Sequence, residues 1–94
     1  MNLGKAIREL RKAADMNQEV LAKKAGITQA ALSGIENGKR PGERTLRKIS
    51  AAMGVPESLI YVMGMEKGDV PEEKALLYDK LFPVIQELVR QIAG

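Results

Sequence analysis

The 94-residue chain reads as all-α: a bundle of short helices followed by one longer amphipathic helix. Three observations predict this. Apolar residues recur three and four positions apart through most of the chain, which is the helical period. Aromatic residues are nearly absent, with Phe82, Tyr61 and Tyr78 the whole set. The core must therefore be built from Leu, Ile, Val, Ala and Met, whereas a β-sandwich favours β-branched and aromatic side chains. Finally, Gly26, Gly38 and Gly54 close successive apolar runs, where glycine ends a helix without a Cβ penalty.

Taken in order, the first helix is expected over about Leu3 to Ala14. Leu3, Ile7, Leu10 and Ala14 form its apolar stripe, with Lys5, Arg8, Glu9 and Lys12 mostly off it. Arg11 falls beside the stripe and is a candidate for a partly buried partner. Asp15-Met16-Asn17 is a break, and Asn17 suits the N-cap of a second helix over Gln18 to Ala25. Gly26 makes a tight turn, and Thr28 can cap a third helix over about Gln29 to Asn37. Val20, Leu21 and Ala25 are the apolar positions of the second helix; Ala31, Leu32 and Ile35 are those of the third. Ala22 sits where the two helices approach.

Gly38 closes the third helix, and the basic turn Lys39-Arg40-Pro41-Gly42 comes next. Pro41 cannot extend a helix and Gly42 is an acceptable N-cap. A fourth helix is expected over Glu43 to Met53, with Leu46, Ile49, Ser50 and Met53 facing inward. Pro56 suits the first turn of a short fifth helix over Glu57 to Met63. Residues 66–71, inside the Gly- and Pro-containing stretch GMEKGDVP, are expected to be a linker, with Asp69 a candidate cap for the last helix.

That last helix is expected over 72–94. Tyr78, Leu81, Ile85, Leu88 and Ile92 alternate at three and four residues, as a coiled-coil seam would. Leu77, Phe82, Val84 and Val89 widen the stripe. A mid-helix proline removes a backbone bond and costs ~3 kcal/mol, so a kink is expected at Pro83, or two short helices hinged at Phe82-Pro83. The seam could cover the chain's own core or dock another protein. A dimer seam is favoured, because the preceding five helices already look complete.

Composition excludes several chemistries. There is no Cys and no His, which removes disulfides, Cys- or His-based zinc sites and His-dependent triads. No catalytic cluster, metal set, glycine-rich phosphate loop or cofactor motif is present, so no enzyme, metal or cofactor is expected. Charges run through the first residues, unlike a signal peptide, and no apolar run reaches the ~20 residues of a membrane span. Residues 1–65 carry eleven Lys/Arg and six Asp/Glu, net +5; residues 66–94 carry four and six, net −2. A basic first part fits a polyanion partner, although such a charge is common on small domains.

Residues 3–63, LGKAIRELRKAADMNQEVLAKKAGITQAALSGIENGKRPGERTLRKISAAMGV and the short helix after it, resemble the Cro/CI-type helix-turn-helix regulators, the xenobiotic-response-element family. Ile7-Arg8, Leu10-Arg11, Gln18, Leu21-Ala22, Gly26, Leu32-Ser33, Ile35-Glu36, Gly38-Lys39, Thr45-Leu46, Ile49 and Gly54-Val55 carry the likeness. It implies a five-helix lambda-repressor-like DNA-binding domain over 1–65, with the third helix entering the major groove of double-stranded DNA. By the resemblance, base contact falls to Gln29, Ala30, Ser33 and Gly34. Phosphate contact falls to Asn17, Gln18, Thr28, Asn37, Lys39, Arg40 and Arg44. Arg11 and Glu36 match a pair joining the first helix to the third. Gln29 can bond adenine N6 and N7 together, while Gly34 offers only backbone where many relatives carry a longer polar side chain. Direct base reading is therefore expected to be sparse, with phosphate contacts and DNA deformability carrying more of the recognition.

The expectation is thus a cytoplasmic bacterial or phage regulator, a repressor binding a pseudo-palindromic operator as a homodimer. The alternative is an antitoxin-like or antirepressor-controlled DNA-binding protein whose last helix holds a second protein.

Overall fold

The computed structural model describes residues 1–94 and is all-helical: α1 (Leu3–Ala13), α2 (Gln18–Ala25), α3 (Gln29–Glu36), α4 (Glu43–Met53), α5 (Glu57–Met63) and α6 (Ala75–Ala93), with 3-10 turns at Lys67–Asp69 and Glu72–Lys74. The helix boundaries reflect local chemistry. The Asn2 side chain caps α1 by accepting from the Lys5 N–H. Gly26 and Gly54 end α2 and α4 in the left-handed conformation, each at φ 70°, which glycine adopts freely.

Ile7, Leu10, Leu21, Leu32, Ile49 and Ile60 are wholly enclosed and bring α1 to α5 into one core. α2 packs against α3 and α4, while α1 packs against α3, α5 and α6. Hence α1 is flanked by both α3 and α6. Gly4 makes the α1–α3 approach possible, because a Cβ there would collide with the Ile35 carbonyl oxygen. Val20 and Ala31, expected inside, are exposed instead. Short helices bury only a narrow stripe, and Leu21, Ala22, Ala25, Leu32 and Ile35 already fill it.

The stretch expected as a linker carries ordered structure. Glu66 and Asp69 form a reciprocal capping box around the first 3-10 turn. The Met1 ammonium lies 2.7 Å from Glu66 Oε1 and 2.6 Å from Asp69 Oδ2. Asp69 therefore caps this turn and not α6, whose N-cap residue Lys74 makes no side-chain cap bond.

α6 runs unbroken from Ala75 to Ala93 with Pro83 inside it. The hinged pair of helices is not formed, and Glu72–Lys74 is a 3-10 turn rather than the start of the helix. Pro83 lies on the exposed side of this helix. Val89 is buried in the common core, and Ala93 packs against it. Tyr78 belongs to this packed face rather than to an exposed seam. Its hydroxyl donates to the Met65 carbonyl at 2.9 Å, and its ring stacks on Phe82 with centroids 4.7 Å apart. The helix thus covers its own core along one side. No helix is long and apolar enough to cross a membrane.

Candidate nucleic-acid interface

The site begins with two capped helix starts and the turn between them. Asn17 Oδ1 accepts the Val20 N–H at 2.8 Å, and Thr28 Oγ1 accepts the Ala31 N–H at 3.0 Å. Each cap uses the side chain as an acceptor. The Asn17 amide nitrogen and the Thr28 hydroxyl hydrogen therefore remain as donors, the polarity a phosphate oxygen requires. Gly26 turns the chain, and the Ile27 N–H returns to the Ala22 carbonyl at 3.0 Å. This short loop holds the start of α3 at the surface.

Gln29 and Ala30 are exposed on the first turn of α3, and Ser33 and Gly34 are half-buried on the next. Nothing lies within 4 Å of where a Gly34 Cβ would sit. Packing within the chain therefore leaves room for a side chain at this position, in contrast to Gly4. Asn37, Lys39, Arg40 and Arg44 are all exposed. The three cations take part in none of the chain's ion pairs. Residues 37–48 hold five Lys/Arg against the single acid Glu43. This edge therefore presents uncompensated positive charge to solvent.

Behind that face lies a buried polar hub. The Glu36 side chain is fully enclosed, and Arg11 meets it with two hydrogen bonds of 2.8 Å, Nε to Oε2 and Nη2 to Oε1. The remaining Arg11 nitrogen, Nη1, donates to the Met16 carbonyl at 2.9 Å. Gln18 Nε2 donates to Glu36 Oε1 at 3.2 Å, and Arg8 Nε to the same oxygen at 3.4 Å. Burial alone pushes the Glu36 pKa up, but the hydrogen bonds from Arg11, Gln18 and Arg8 outweigh it and hold the carboxyl below its ordinary value. A forked guanidinium facing a carboxylate is the strong form of such a pair. One acid on α3 thus collects donors from α1 and from the start of α2.

The structure therefore brings Gln18, expected at phosphate, into the same network as Arg11 and Glu36. One hydrogen of its amide is used by Glu36, which fixes the direction of the other. Arg8 is among the residues that carry the family likeness, but the sequence reading placed it off the apolar stripe and gave it no partner. Besides Glu36 it reaches Asn37, donating from Nη2 to Oδ1 at 3.3 Å. Its three-residue spacing from Arg11 was the available signal, since i and i+3 share a helix face. No group of three or more Asp or Glu side chains is placed to hold a metal ion.

A family model described as helix-turn-helix matches residues 7–60. Two curated Bacillus subtilis (strain 168) proteins are similar. One, the uncharacterized HTH-type transcriptional regulator RghRB, is 42% identical over 64 residues, covering 65% of this chain and 46% of that protein. The other, the HTH-type transcriptional repressor RghR, is 36% identical over 66 residues, covering 67% of this chain and 49% of that protein. The chain thus spans about half the length of the curated relatives it matches. No solved structure matches it.

Proposed function

We propose that this chain, which belongs to the Cro/CI-type helix-turn-helix family of DNA-binding transcriptional regulators, represses transcription by occupying a pseudo-palindromic operator as a homodimer. It is a DNA-binding regulator and not an enzyme. Each α3 lies in a major groove, with its twin about one helical turn, ~34 Å, away. Gln29 reads a base edge, Ala30 and Ser33 add apolar and hydroxyl contacts, and Gly34 brings the α3 backbone close. Asn17, Gln18, Thr28, Asn37, Lys39, Arg40 and Arg44 hold phosphates and set the register. Repression results from occlusion of polymerase.

The observation that carries this reading is the exposed start of α3 together with the exposed, unpaired cations Lys39, Arg40 and Arg44 that follow its end. The relative RghR is a transcriptional repressor by name, and repression is proposed here by that similarity. Titrating a duplex enriched from randomised DNA under stoichiometric conditions tests the dimer. The reading expects two chains per duplex; one chain per duplex contradicts it.

A second reading keeps the DNA-binding part and gives the outer side of α6 to a different protein, as in an antitoxin-like or antirepressor-controlled regulator. The apolar side chains exposed on α6 favour some partner, and a partner binding there would control the regulator.

A further inference from the structure

We infer that α6 pairs with α6 of a second copy in antiparallel orientation, through the apolar stripe it leaves uncovered. This deepens the homodimer reading and rests on it. At 3.6 residues per turn, the apolar side chains of α6 other than Ala75, Leu76 and Pro83 occupy about 180° of its circumference. Only half of that arc is used within the chain: Tyr78, Phe82, Val89 and Ala93 lie on the packed side. The other half carries Leu77, Leu81, Val84, Ile85, Leu88 and Ile92, exposed by 51%, 49%, 66%, 37%, 58% and 57%. The other exposed large apolar residues, Met1, Val20, Tyr61 and Leu76, form no comparable stripe. A contiguous apolar strip of this kind marks an interaction surface.

Charge at the edge of the stripe selects the occupant and its direction. Lys80 and Glu87 are both exposed and are seven residues apart, so they share one edge, the one beside Val84. The opposite edge is formed by Tyr78 and Ile85 and carries no charge. A parallel partner would lay the charged edge of one helix against the apolar edge of the other. An antiparallel partner turns like edges together, so Lys80 of each copy faces Glu87 of the other. It also sets the Leu77 end of one helix against the Ile92 end of the other, with the two-fold axis near Val84 and Ile85. That arrangement is self-complementary, as a two-fold interface must be. α6 packs on α1 and α5, whereas α3 packs on α1 and α2, so pairing through α6 leaves the start of α3 free.

The test uses the full chain, which has no native Cys and can be labelled at chosen positions. Sedimentation equilibrium of the unaltered protein and of Leu81→Glu and Leu88→Glu, with helicity checked by circular dichroism, asks whether the stripe dimerises. The inference expects a dimer whose dissociation constant rises at least tenfold in either variant while helicity is kept. Cross-linking with a short bismaleimide then reads direction. L77C mixed and re-equilibrated with I92C should give covalent dimers, and L77C alone should not. Cross-linking of L77C alone would mean a parallel pair and overturn the inference. A dimer indifferent to both Glu substitutions would keep the homodimer and remove it from α6. A monomer at all concentrations, including one that docks an unrelated protein on this stripe, would overturn the inference, and one chain per duplex in the DNA titration would overturn the homodimer reading as well.

Discussion

Arg11 and Glu36, 25 residues apart in the chain, are joined by two hydrogen bonds of 2.8 Å each. Because Glu36 ends α3 and Arg11 lies near the end of α1, the pair locks the orientation of the exposed helix to the body of the domain. Replacing one member strands the other in a buried site. Arg11→Ala should therefore destabilise the fold by about 3–5 kcal/mol, the range for breaking a buried pair. Urea unfolding measures it, and a loss below about 1 kcal/mol, the ceiling for an exposed pair, would mean Arg8 and Gln18 suffice for Glu36.

The same carboxylate makes a pH prediction. Its folded pKa lies below the ordinary value of 4.5. A depressed carboxylate contributes stability that is fully present above the unfolded pKa and is lost as pH falls through the folded one. Stability should thus decline below about pH 4.5, and Glu36→Gln should lower stability at neutral pH while flattening that decline. An unchanged acid limb in the variant would assign the decline to other carboxylates.

Two glycines separate packing from recognition. Gly4→Ala drives a methyl into the Ile35 carbonyl and should cost about 1–3 kcal/mol, as overpacking does. Gly34→Ala has open space and should stabilise α3 by up to about 1 kcal/mol, the helical penalty of glycine. If Gly34 serves close approach to DNA, the more stable variant binds its operator less well. Thermal melts and binding isotherms on the same samples decide it; a Gly34→Ala protein that is both more stable and equally tight removes that role.

Base and phosphate contacts leave different signatures. Gln29→Ala should relax preference at one base position. Lys39→Ala, Arg40→Ala or Arg44→Ala should weaken binding to all sequences and each reduce the salt dependence by a slope of about 0.9. A salt slope unaffected by all three would place the phosphate edge elsewhere.

Much of the helical fold could be read from the sequence, because its signals are local. Gly26, Gly54 and the capping residues Asn17 and Thr28 set helix ends through chemistry confined to a few neighbours. Contacts between distant segments were not readable in this way. Gly4 gives no hint in the sequence that Ile35 lies against it, and Arg8 looks like an ordinary surface cation. α6 misled for a related reason. Its apolar arc is wide enough for two surfaces, and periodicity alone cannot divide it between a core-facing side at Val89 and an exposed side at Leu81 and Leu88. The division also decides how α6 can be tested. Truncation after Gly68 removes Val89 from the core, so substitutions on the exposed side are the cleaner probe.

Selection of bound duplexes from randomised DNA, with the full chain at moderate salt, tests the central claim most directly. The account predicts enrichment of two inverted half-sites at one fixed spacing, centred about 10–10.5 base pairs apart or a multiple of that. Salt-sensitive binding with no enriched sequence would contradict it and leave a DNA-binding domain without an operator of its own.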